Sequence, residues 1–348
     1  MKPKIDWFLL GMLLAIGLAW LYPAPGARGG WLHPELITSL GVALVFYLNG
    51  LSLSFASLRQ GIMKWKVHVV VQGAVFLLFP LIGLGLISVT RGWLPEDLRL
   101  GLFYLCASPS TVSSSVALTA AAGGNVPAAI FNATTSSLLG VVLTPLWMAT
   151  VLQAGHSNST AGSFSMQEVI WELLLWLVLP LVLGQLCRPW LGGWVTRHRR
   201  FVSSVDRGTI LLLIYTSFCD SMVLGIWTKH GLMVVAITAA ITLALFYLVF
   251  FILSAVCQGL MFNREDWIAT VFCGSKKSMA TAVPMAQIMF GTSPALGMIL
   301  LPIMIYHPLQ LVICGLLATR WKKLALDSTL KSEGQINPSA AQSFDNQN

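Results

Sequence analysis

The sequence predicts an all-α polytopic membrane protein of about ten transmembrane helices, arranged as two inverted five-helix repeats with helices 4 and 9 broken. Three observations predict this: the composition, a series of ten apolar runs, and a pattern that occurs twice. Of 348 residues, 56% are hydrophobic and 10% are charged. A soluble domain carries about 25% charged residues. A chain this poor in charge, with a mean hydropathy of +0.77, cannot cover a water-facing surface.

A bilayer core about 30 Å thick takes about 20 apolar residues per helix. Runs of that kind lie at 5–22, 34–53, 67–89, 98–121, 126–152, 167–191, 207–227, 231–259, 267–290 and 294–319. No succession of ten-residue blocks alternates with period two, which argues against a barrel. The first run has no small-residue cleavage site before Pro23, so it reads as a retained helix and not as a signal peptide. From about residue 322 the chain turns polar, and 321–348 is expected to be a disordered cytoplasmic tail.

Lys and Arg set the orientation. With the N-terminus inside, fifteen of the 21 cations fall in cytoplasmic segments. Four fall outside (Arg28, Arg91, Arg99 and Lys229), and two, Lys276 and Lys277, lie inside a span. An even number of spans with both termini cytoplasmic follows. The net charge of +8 therefore tracks topology, and nucleic acid is not an expected partner. The cluster Arg197–Arg200 is an inside marker first and a lipid-headgroup site second. All six cysteines lie in or beside apolar runs without metal-clip spacing, and read as small core residues.

The doubled pattern begins at Pro95 with "PEDLRLGLFYLCASPST" and at Arg264 with "REDWIATVFCGSKKS". Each has an acidic pair, a short apolar stretch, a cysteine and a small polar segment. Asp97 and Asp266 are 169 residues apart, Pro127 and Pro294 167, and Asn49 and Asp220 171. Residues 1–153 and 154–320 therefore read as two five-helix repeats. Five is odd, so the second enters the membrane in the opposite sense, as in secondary transporters.

Both copies interrupt a span with groups that lipid does not tolerate. In the fourth, Ser108, Pro109, Ser110, Thr111, Ser113, Ser114 and Ser115 stand mid-membrane. Proline removes a helical donor and clashes with the preceding turn, yet Ser-Pro also starts helices well. This predicts one half-helix ending near Ala107 and a second beginning at Pro109. Freed backbone groups must face protein or water. Small residues that only let helices pack closely are the competing explanation.

In the ninth span, Ser275, Lys276, Lys277 and Ser278 replace apolar residues. One charge at the bilayer centre costs about 3 kcal/mol. Lys276 lies about 14 Å from the start of its span at 1.5 Å per residue, which strains snorkelling. At least one lysine is expected to face a hydrated cavity or to pair with an acid. Asp220 is a candidate salt-bridge partner, proton carrier or cation ligand, and it also suits an interfacial position. His307 reads as a hydrogen-bonded packing residue or a relay. A Ser278–Lys277 hydrolytic dyad is disfavoured, because neighbours on a helix point apart and the base must reach the nucleophile. No enzyme activity is expected.

The segments "SPSTVSSSVALTAAAGGN", "GSKKSMATAVPM" and "LPIMIYHPLQL" resemble the bile acid:sodium symporter superfamily over nearly the whole chain to about residue 320. Within it they resemble the branch of solute carrier family 10 member 7 and its YfeH-type bacterial relatives. The resemblance implies that broken spans 4 and 9 cross near the midplane. Spans 3–5 and 8–10 would form a core, and spans 1, 2, 6 and 7 a panel. It implies an organic-anion substrate between the two and sodium behind the crossover.

Laid on the family's sodium ligands, Ser114 and Ser115 take the place of a Ser-Asn pair and are the implied metal ligands here. Hydroxyls early in span 5 fall on Ala129 and Ala133, with Asn132 and Thr134 nearest. Phe272, Lys276 and Lys277 stand where the family has glutamate, glutamine and asparagine. A hard cation prefers oxygen ligands, so a fixed cation here would displace a mobile one. The expected function is symport of a small organic anion, coupled to sodium at an altered site or to protons, by alternating access. The alternative is a regulator of calcium or ion homeostasis with a transporter fold, since the branch is associated with calcium regulation.

Overall fold

The computed structural model describes residues 7–27, 29–52, 63–155, 171, 174–223, 226–290, 293 and 295–336. Lys2, Lys4, Arg28, Arg59, Pro294, the stretch 167–170 at the head of the sixth expected span, and residues 337–348 lie outside the described residues.

Every described element is helical. α1 is Trp7–Leu21 and α2 is Pro34–Ser52. α3, Trp65–Val89, contains a widened π-helical turn at Ala74–Leu78. α4 is Glu96–Ala107, α5 is Ser113–Ala121 and α6 is Val126–Gly155. A second π turn, Leu174–Val178, leads into α7, Leu179–Arg197. α8 is Arg199–Val223, and α9 is Ile226–Gly259 with a kink at Gly231, where φ is 61°. α10 is Arg264–Gly274, α11 is Met279–Phe290 and α12 is Leu296–Ile336.

Five helical stretches are long and apolar enough to cross a membrane: Trp65–Val89, Val126–Leu152, Leu175–Arg197, Met233–Gly259 and Leu296–Lys323. Large side chains such as Leu13, Trp20, Leu40, Val69, Leu146 and Phe251 point outward. In water so much exposed apolar surface would be a liability; in lipid it is the solvent-matched face. The chain is a polytopic integral membrane protein, helical in every described element.

Both π turns precede a proline, Pro80 and Pro180. Proline brings no N–H and crowds the preceding turn, so the turn widens and leaves carbonyls open. In α3 these are Val75 O and Phe76 O. The Trp147 indole donates to the second at 2.9 Å.

α1 packs along α8, and α2 packs along α7 and α8. The α2–α7 crossing brings backbones together: a Cβ on Gly50 would lie 2.2 Å from Leu181 O, and one on Gly184 2.2 Å from Tyr47 O. Small residues at such crossings are how membrane helices gain dispersion contact. α4 packs on α3 and α12, while α10 packs on α3, α5, α6 and α9.

Two expectations are corrected. The half-helix after the first break begins at Ser113, not at Pro109. Pro109 O accepts from Ser278 N at 2.8 Å, and Ser110 N donates to Ser136 Oγ at 2.9 Å. These distant bonds hold the strand extended where a local cap would have started a helix. The expected disordered tail from residue 321 is helical backbone to Ile336. Lys, Leu and Ala dominate 322–326, and good helix formers simply prolong α12.

Candidate functional site

The site is built where two rods are cut. α4 stops at Ala107 and α5 resumes at Ser113; α10 stops at Gly274 and α11 resumes at Met279. The cut strands touch through Ser278 N and Pro109 O. A helix end leaves its last four carbonyls without helical donors. In an apolar interior each needs a partner.

At the end of α4, Ser108 Oγ donates back to Tyr104 O at 2.7 Å. Thr144 Oγ1 takes Ala107 O at 2.8 Å. Cys106 O and Ser108 O both accept from Lys277 Nζ at 2.7 Å. The third proton of that ammonium goes to Val75 O at 3.1 Å, the carbonyl that the Pro80 turn left open. The Phe79 ring centroid lies 4.1 Å from Nζ, a cation–π contact. Lys277 is 0% exposed, and its charge faces the negative end of α4.

The end of α10 is treated in parallel. Ser275 Oγ donates back to Val271 O at 2.7 Å. Ser110 Oγ donates to Cys273 O at 2.5 Å and Ser115 Oγ to Phe272 O at 3.2 Å. Residues 167 apart thus do matching work: Ser108 and Ser275 bond back one turn, while Ser110 and Lys277 each reach the other rod's cysteine carbonyl.

Lys276 is also 0% exposed. Its Nζ donates to Ser114 Oγ at 2.7 Å, its one hydrogen-bond acceptor among the described residues. Ser114 Oγ donates to Thr111 Oγ1 at 2.9 Å, and Thr111 Oγ1 pairs with Ser115 Oγ at 2.8 Å. Three hydroxyls therefore form a chain with an ammonium at one end. Neither lysine snorkels, and neither meets a carboxylate among the described residues; carbonyls and a hydroxyl replace the expected acid. Ser278 Oγ pairs with Thr281 Oγ1 at 3.1 Å, so Lys277 and Ser278 serve different partners and form no dyad.

α12 locks the second cut. Gln310 accepts from Lys277 N and donates to Lys277 O, both at 2.7 Å. His307 Nδ1 lies 3.1 Å from Gln310 Nε2, and Tyr306 OH donates to Ser275 O at 2.6 Å. His307 thus stands beside the clamp, edge-on to Phe8. On the other side, Pro109 presses against α6, where a Cβ on Gly140 would lie 2.5 Å from its ring.

Other expected site residues stand apart. Asn132 is buried, donates to Ala128 O at 2.9 Å and receives Gln72 Nε2 at 3.3 Å. Thr134 is buried and Ser113 exposed, outside the network. Asn49 is half-buried on α2 without a side-chain hydrogen bond among the described residues. Asp220 belongs by backbone to the last turn of α8, and its side chain lies outside the described residues.

Sequence reasoning missed Gln310, Tyr306 and Gln72. It also missed the joint at one end of α10, where Asp266 receives Lys64 Nζ at 2.8 Å and Asn125 Nδ2 at 2.6 Å. The acidic pair marked the helix start; nothing local marked its partners.

The family model for SBF-like CPA transporters matches residues 6–323. The chain belongs to the SBF-like CPA transporter family. An uncharacterized protein of Pseudomonas aeruginosa is 39% identical over 319 residues, 91% of this chain and 93% of its own. Escherichia coli YfeH is 38% identical over 326 residues, 92% and 93% of the two chains. Sodium/bile acid cotransporter 7 of Danio rerio is 36% identical over 321 residues, 91% and 93%. The match to the SBF-like CPA transporter family spans both cut rods and the α12 clamp.

Proposed function

We propose that this chain is a secondary transporter of a small organic anion that works by alternating access. The observation that carries the reading is the crossover: two cut helices at which a tethered ammonium fills a carbonyl cage and a second ammonium is held by one hydroxyl. The matching work of residues 167 apart supports two inverted repeats, 1–153 and 154–320, giving ten spans. α1, α2, α7 and α8 would form the panel and α3–α6 with α9–α12 the core. The cation bias supports both termini in the cytoplasm, and the likeness to Escherichia coli YfeH supports insertion in the bacterial inner membrane.

The two lysines divide the work. Lys277 has all three protons on carbonyls and acts as a fixed cation where a mobile one would otherwise sit. Among the described residues Lys276 has one acceptor, Ser114 Oγ, for its three protons, and an under-satisfied buried ammonium either binds an anion or releases a proton. It is the group offered to the substrate when panel and core part, with Thr111, Ser114 and Ser115 as neighbouring oxygen donors. Coupling runs through sodium at this altered oxygen cluster or through protons on Lys276. The cotransporter named for Danio rerio supports a sodium-coupled organic anion as the first substrate class to test.

Proteoliposomes holding the purified chain test this. Uptake of a panel of organic anions is measured under an inward sodium gradient, a pH gradient and neither. Gradient-driven uptake is expected, and Lys276→Met should lower it about tenfold or more by removing one charge-assisted contact. Absence of flux for every anion, with a folded protein, would favour the regulatory reading.

A further inference from the structure

The crossover leaves unused the cationic junction between α7 and α8. Arg197 closes α7 and Arg199 opens α8, with His198 between them. A groove opens there, lined by Arg197, Arg199, Arg200 and Arg207 with His198 and Phe201. Arg207 is turned toward α1, its guanidinium 5.7 Å from the Phe8 ring centroid. The other three arginines are exposed and enter no ion pair among the described residues. Three like charges within four residues repel one another, and bound anion relieves that repulsion.

An aromatic ledge borders the same groove. Trp194 stacks on His198 with centroids 4.8 Å apart and meets Phe201 edge-on at 6.4 Å. Trp190, Trp194 and Phe201 are 79%, 49% and 61% exposed. Exposed tryptophans of membrane helices belong at headgroup depth, where the ring is amphipathic to its surroundings. A charge bias that only sets topology requires neither convergence on a groove nor an aromatic border. Arg320, Lys322 and Lys323 make the contrast: they too are three exposed cations within four residues, at the C-terminal end of the span in α12.

We propose that the α7–α8 groove binds the phosphate of an anionic phospholipid headgroup, with Arg197, Arg199 and Arg200 as its ligands and the Trp194–Phe201 ledge supporting the lipid at the interface. Guanidinium forks suit phosphate oxygens geometrically. The site also fixes the end of the α7 and α8 pair relative to the bilayer surface.

The test uses the full chain in detergent with pyrene-labelled phosphatidylglycerol, read by energy transfer from tryptophan, with labelled phosphatidylcholine as reference. The wild type should prefer phosphatidylglycerol, and the preference should fall with added salt. R197Q/R199Q/R200Q should weaken phosphatidylglycerol binding about tenfold, and the charge-matched R320Q/K322Q/K323Q less than about twofold. R199Q/R200Q, which leaves α7 untouched, should give an intermediate loss and covers failure of the triple variant to fold. Equal losses in the two triple variants would reduce the groove to general surface charge. Displacement of the lipid by equimolar inorganic phosphate would make it a site for a free anion and overturn the lipid assignment.

Discussion

The two half-helix ends at the crossover face the same difficulty and solve it differently. Both α4 and α10 stop inside the molecule with carbonyls exposed. The α10 carbonyls are closed by the hydroxyls of Ser110 and Ser115. The α4 carbonyl of Cys106, with that of Ser108, is closed by the Lys277 ammonium. Hydroxyls give a neutral, short-range closure that requires close approach. An ammonium reaches further, satisfies three acceptors at once and adds a full charge. The crossover thus has a neutral joint and a charged joint. The charged one also brings a carbonyl from α3 into the same cage.

The largest expected effect is at the charged joint. Lys277→Ala leaves three buried carbonyls without a donor and should cost about 3–5 kcal/mol. In detergent this reads as a fall in melting temperature of about 4–7 °C. The vacated cage is then an oxygen site of the kind hard cations choose. Sodium at tenfold its dissociation constant should restore about 1.4 kcal/mol to the variant, with no matching sodium response at this position in the wild type. A variant as stable as the wild type would show that the ammonium is not what holds the joint.

A smaller effect separates the two clamps behind the joints. Gln310 pairs with both main-chain groups of Lys277, whereas Ser136 accepts only from Ser110 N. Gln310→Leu should cost about 2–4 kcal/mol and Ser136→Ala about 1–2 kcal/mol, because two orphaned groups lose more than one. Chemical or thermal unfolding of both variants side by side checks the order, and a reversed order would break the asymmetry.

Much of this was legible because breakers and charges act locally. Pro109, the serines around it and the Lys276–Lys277 pair each announce an interruption by residue chemistry alone. The offsets of Asp97 from Asp266 and of Pro127 from Pro294 point to both interruptions without any coordinates. What local chemistry omits is the partner. Gln310 lies 33 residues from Lys277, and Val75 O lies 202 away. Only the folded chain brings Val75 O to an ammonium, although the Pro80 that frees it is plain in the sequence. The start of α5 failed for the same reason, since Ser278 and Ser136 compete for the strand that a local cap would have coiled. Among the described residues the partners of Lys277 Nζ are carbonyls, and main-chain groups carry no sequence signature.

The least effect is expected where the comparison reaches water. The loop after α5 turns on Gly123, whose φ is 71°, with Gly124 N donating to Thr119 O at 2.8 Å in a helix-ending motif. It then delivers Asn125 to Asp266 at the head of α10, so the first rod's exit is joined to the second rod's entrance. Asp266 accepts from Asn125 and from Lys64, and the lysine side chain is 47% exposed while the carboxylate's is 9% exposed. An ion pair with one half-exposed partner is worth less than about 1 kcal/mol, and salt screens it. Asn125 also caps the next helix through Ala128 N at 3.0 Å, so its loss removes two bonds. Lys64→Gln should therefore lower the melting temperature only slightly, and less still at high salt, whereas Asn125→Ala should cost about 1–2 kcal/mol at any salt. A Lys64→Gln loss as large as that of Asn125→Ala, and as insensitive to salt, would show that the Lys64 contact is not a screened surface ion pair.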